Sequence, residues 1–80
     1  MKTEYKYIRF VEKGRTPKTV VYSCQNRNSG EELGEVRWYF NWRQYCYFPT
    51  AVAVYSKGCL KDIIDFISTL EAERKRGMPI

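Results

Sequence analysis

The run Leu33 to Pro49, LGEVRWYFNWRQYCYFP, gathers both tryptophans of the chain with three tyrosines, two phenylalanines and two arginines. Aromatic side chains lose rotamer freedom in a helix and fit a pleated surface, so the run reads as paired strands. Asn41, near its centre, tolerates tight turns and makes the run a hairpin. One strand spans residues 33–40, with Gly34 a candidate bulge near its start. The other spans 43–48 and is stopped by Pro49.

The same reading extends to both sides of the hairpin. Residues 4–13 alternate, with Ile8 and Phe10 on one side and Tyr5, Tyr7, Arg9 and Val11 on the other. Gly14 to Pro17 punctuate the chain as a turn. Residues 18–25 are β-branched at Thr19, Val20 and Val21 and form a second strand. Asn26 to Gly30 is a polar loop. Residues 52–55 form either a short fifth strand or the crossover to a helix.

A helix over 57–76 is the plainest element. Ser56 is a natural N-cap. Cys59, Leu60, Ile63, Ile64, Phe66, Ile67 and Leu70 then recur at helical spacing as one broad apolar stripe. Asp62 and Asp65 lie in the first half, and Arg74, Lys75 and Arg76 at the end, the order the helix dipole favours. Gly77 and Pro79 supply the stop signals.

Eighty residues allow one domain with a modest core. The expected fold is therefore a single α+β domain over 1–80. It is an antiparallel meander of four to five strands with a C-terminal helix on one face. The other face stays open. A three-residue loop at Phe40–Trp42 would set Arg43 opposite Tyr39. Val36 and Trp38 would then share the covered face with Gln44, Cys46 and Phe48, and Ile63 and Ile67 would pack against Trp38 and Phe48. The open face would carry Arg37, Tyr39, Arg43, Tyr45 and Tyr47, joined by Tyr7 and Arg9. A loop one residue shorter would invert the last strand.

Several chemistries are disfavoured. The chain has no histidine, which removes the commonest general base and metal ligand. Cys24, Cys46 and Cys59 are too few and too scattered for a disulfide framework or a closed zinc site. Cys46 reads as a core thiol on the face opposite Arg43, with no base to activate it. Glu31, Glu32 and Glu35 read as a solvated loop rather than a carboxylate pair. The Glu73–Gly77 run, ERKRG, reads as a helix end carrying the charge its dipole prefers. Neither a signal peptide nor an apolar span of about 18 residues is present. The expectation is a cytoplasmic, non-enzymatic chain without cofactor, metal or membrane contact.

The run Trp38, Tyr39, Trp42, Arg43, Gln44, Tyr45, Cys46, Tyr47, Phe48, Pro49, followed by Cys59 and Leu60, resembles a block found in small uncharacterised bacterial and phage-associated proteins. The resemblance covers roughly the C-terminal half. It implies a bacterial, phage or mobile-element origin and no particular activity. A looser likeness, at the level of fold, is to the sheet-plus-helix DNA-binding domains of integrase arm-binding and plant ethylene-response-factor type.

The net charge of +5 and the tyrosines and arginines of the open face leave two functional readings. The first is a small interaction module that binds a protein partner, or itself, through that face or an exposed edge strand. The alternative is nucleic-acid binding, with arginines on phosphates and tyrosines stacking on bases.

Overall fold

The computed structural model describes residues 1–76, so the stop signals at Gly77 and Pro79 lie outside the described residues. Strands β1 (Ile8–Arg15), β2 (Val20–Asn26), β3 (Glu32–Tyr39) and β4 (Gln44–Pro49) precede one helix, α1 (Lys57–Lys75). The strands lie side by side in chain order, every neighbouring pair antiparallel. This is the α+β meander that the sequence predicts. Residues 52–55 are the crossover and not a fifth strand.

Local chemistry accounts for the ends of α1. Ser56 has an extended backbone, and its Oγ accepts a hydrogen bond from the Cys59 N–H at 3.1 Å. That satisfies one of the helix's orphan donors. Arg74 and Lys75 occupy the last turn. The helix buries Ile63, Phe66 and Leu70 against Ile8, Phe10, Val20, Tyr22, Cys24 and Val36 of the sheet. Phe66 is the centre of this layer. Its ring stacks on Phe10 at 4.0 Å and meets Tyr22 edge-on at 5.0 Å. Fully burying one such ring contributes about 1.5–3 kcal/mol from area alone. The apolar stripe is narrower than its sequence suggests, because Leu60 and Ile64 are exposed.

The N-terminal strand starts later than expected. The chain reverses at Lys6 and Tyr7, so residues 3–5 fold back beside β1. Tyr5 N–H donates to the Ile8 carbonyl at 2.9 Å, and Phe10 N–H to the Thr3 carbonyl at 2.8 Å. Tyr5 is therefore buried with Phe10 rather than shared with Arg9 and Val11. Its hydroxyl donates to Asp65 of α1 at 2.8 Å.

The larger correction concerns β4. Tyr39 pairs with Gln44, so the hairpin loop holds four residues, Phe40–Arg43, and not three. Arg43 closes it in the left-handed region at φ 52°, its N–H donating to the Tyr39 carbonyl at 2.8 Å. The extra residue turns β4 over. Val36 stands opposite Tyr47, and Trp38 opposite Tyr45, on the covered face. Gln44, Cys46 and Phe48 lie on the open face with Arg37 and Tyr39. Ile63 and Ile67 therefore do not pack on Phe48, although Ile67 and Trp38 both border the core.

The covered face gains from this inversion. Tyr45 is buried, its ring edge-on to Trp38 at 5.4 Å, and its hydroxyl accepts from the Val20 N–H at 3.2 Å. Tyr47 lies over Gly34, and its hydroxyl shares a 2.7 Å hydrogen bond with that of Tyr55. Tyr55 in turn donates to the Leu33 carbonyl, where β3 bulges. No buried side-chain nitrogen or oxygen among the described residues lacks a partner.

Candidate interaction surface

The open face is built from the alternate residues of all four strands. Arg9, Val11 and Lys13 come from β1, and Val21, Ser23 and Gln25 from β2. Glu32, Glu35, Arg37 and Tyr39 come from β3, and Gln44, Cys46 and Phe48 from β4. Of the predicted site residues, Arg9, Arg37 and Tyr39 meet here. Tyr45 and Tyr47 do not, because the four-residue loop puts them under the sheet. Tyr7 and Arg43 sit at turns, at opposite ends of the sheet, and both are exposed.

The charges of this face are largely matched within it. Lys13 Nζ pairs with Glu32 at 3.0 Å and with Glu35. Glu32 also accepts from Ser23 Oγ at 2.6 Å. The Ser23 hydrogen bond, then Lys13, hold the Glu32 carboxyl below its usual range. The two carboxylates raise Lys13 above its own. The Arg37 guanidinium lies 3.6 Å over the Phe48 ring and 3.4 Å from Glu35. Arg9 Nε donates to Gln25 at 3.0 Å. Glu32 and Glu35 are thus strand residues with partners, and not part of a solvated loop. Three basic side chains face two acidic ones across a surface that also holds Phe48, Tyr39, Val11 and Val21.

Cys46 lies on this face, half-buried beside Arg37, which corrects its expected place in the core. Burial raises its thiol. All three cysteines are free thiols.

A second feature is the tip of the β3–β4 hairpin. Phe40 is 77% exposed and Trp42 65%. Trp42 meets Tyr39 edge-on at 5.0 Å, and Tyr39 meets Phe48 at 5.7 Å, so aromatic surface runs from the tip onto the open face. Behind the tip is an open depression of about 480 Å³ lined by Trp38, Arg43, Gln44, Glu71, Arg74 and Lys75. The Arg74 guanidinium sits 4.2 Å over Trp38 and donates to the Lys18 carbonyl at 2.9 Å. Sequence reasoning missed Phe48, Phe40 and Trp42 as surface residues. The signal for the first was the loop length.

Among the described residues no group of three histidine, cysteine, aspartate or glutamate side chains could hold a metal ion. No helix among them is long and apolar enough to cross a membrane. No protein-family model, curated protein or solved structure matches the chain.

Proposed function

We propose that this chain is a small, non-enzymatic interaction module of the cytoplasm that binds a protein partner through its open sheet face and the β4 edge beside it. The bacterial, phage or mobile-element origin implied by the aromatic block belongs to the same proposal. One observation carries the reading: the basic residues of the face are matched by Glu32, Glu35, Gln25 and the Phe48 ring. Such a face offers little net positive field to a phosphate backbone. Tyr and Arg over apolar surface are instead the composition of protein hot spots.

Nucleic-acid binding is the second reading, and what favours it lies elsewhere. Exposed Phe40 and Trp42 share the hairpin tip with Arg43, which also lines the depression holding Arg74 and Lys75, so groups that would stack bases and contact phosphates lie at one end of the sheet. Three phosphate contacts on duplex DNA would give a salt slope of about −2.7.

Titration with labelled single- and double-stranded oligonucleotides at low and moderate salt separates the two. The protein-interface reading expects no binding with such a slope. A slope near that value, reduced by about one unit in Arg43→Ala, would overturn it in favour of the second.

A further inference from the structure

The two edges of the sheet are protected unequally. The β1 edge carries Arg9, Glu12, Lys13 and Arg15, holds a bulge at Lys13, and is partly covered by residues 3–5. These are the devices that keep edge strands from pairing with other chains. The β4 edge has the sequence QYCYFP, with no charge and no bulge, and its one protective residue is Pro49 at the end.

The hydrogen-bond phase of β4 defines what that edge offers. Thr50 N–H donates to the Leu33 carbonyl at 3.0 Å, one step beyond the Gly34–Pro49 pair. Antiparallel pairs alternate between bonded and non-bonded. Phe48, Cys46 and Gln44 therefore exchange bonds with β3. Pro49, which has no N–H, falls at a non-bonded position, as it must. The N–H and C=O groups of Tyr45 and Tyr47 then point away from the sheet.

Resting on the protein-interaction reading above, we infer that the partner is a second copy of this chain, paired antiparallel through β4 about a two-fold axis at Cys46. This register alone sets Tyr45 opposite Tyr47 of the second copy in reciprocal pairs, giving four backbone hydrogen bonds. Centring on Tyr47 would face Tyr45 with Pro49, which returns no bond. Centring on Tyr45 would need the Arg43 N–H, which is already given to Tyr39. The register also keeps open face with open face, so the two meanders become one eight-stranded sheet. No charged residue of β4 meets its own copy.

The helix supports the same side. Ile67, Glu71 and Arg74 share a flank of α1, and Glu71 and Arg74 line the depression beside Trp38 and Gln44. Leu60 continues that flank by helical spacing and is 49% exposed. In the pair this flank of α1 lies on the side of the second copy.

Cys46 reports the geometry. At a non-bonded antiparallel pair the two Cys46 Cα atoms lie ~4.5 Å apart, within reach of a disulfide. With diamide as oxidant, two Sγ–H bonds break and one Sγ–Sγ bond forms. The two protons and two electrons pass to the diamide, which becomes its hydrazine.

The test uses the full chain. Light scattering of the reduced protein should give twice the 9.6 kDa of one chain. Diamide should convert it to a covalent dimer, in Cys24→Ala/Cys59→Ala as well as in the wild type. Cys46→Ser should lose the cross-link and keep the doubled mass. Cys46→Lys, which sets like charges on the axis, should give a monomer with unchanged circular dichroism. A monomer at all concentrations overturns the inference and leaves the oligonucleotide test of the parent reading untouched. A dimer that does not cross-link through Cys46, or that survives Cys46→Lys, overturns it equally.

Discussion

At the scale of single residues, Gly34 and Arg43 are the positions that β4 depends on. A Cβ on Gly34 would lie 2.5 Å from the Tyr47 hydroxyl oxygen and 2.7 Å from the Phe48 carbonyl oxygen. The second contact is backbone and cannot rotate away. Gly34→Ala should therefore destabilise the fold by about 1–3 kcal/mol, read as a lower urea midpoint. Arg43 is the opposite case. It holds a left-handed backbone that costs a side-chain-bearing residue about 1–2 kcal/mol. Arg43→Gly should leave stability unchanged or raise it by up to about 1 kcal/mol. Had Arg43 been the strand residue that alternation suggests, the same change would lower it.

At the scale of elements, each strand and the helix were legible in the sequence to within a few residues. Their determinants are local: period-two alternation, Gly and Pro punctuation, and a serine before a 3.6-residue stripe. The helix start shows how local. The cap rests on one side-chain oxygen, and α1 has no acidic residue in its first turn to assist it. Ser56→Ala should cost about 0.5–2 kcal/mol, measured by thermal unfolding, with amide exchange quickening first at residues 57–60. The assignment of faces was harder to read. Turning β4 over required only one more residue in the loop, because side chains alternate with period two. That one residue exchanged Tyr45 and Tyr47 for Cys46 and Phe48.

At the scale of the whole molecule, the layer between sheet and helix is rich in neutral hydroxyl and thiol groups. Burial pushes the Cys24 thiol from 9.0 up to about 11. Burial, then the hydrogen bond with Asp65, raise the Tyr5 hydroxyl. Burial, then the bond with Tyr55, raise Tyr47. In each case the native state keeps a proton that the unfolded chain has already released. Fewer protons bound when unfolded means that stability falls as pH rises. The Cys24 contribution should be complete below pH 9 and be lost between pH 9 and 11, and the tyrosines should deepen the loss above pH 10. Urea unfolding across that range should show a falling midpoint, and a flat one would mean that these groups are hydrated.

The sequence by itself determined the order of elements, the meander and the helix with its capped start, because each follows from residues adjacent or one turn apart. Tertiary structure decided which residues reach the surface. The burial of Tyr5 depends on Asp65, 60 residues away, and on a chain reversal that alternation does not encode. The place of Tyr45 depends on a hydroxyl reaching the Val20 N–H across β3. The charge matching on the open face depends on Lys13 of β1 meeting Glu32 and Glu35 of β3 across β2. These contacts join distant segments through side-chain length and loop geometry, and the free energy that selects them exists only once the sheet has formed.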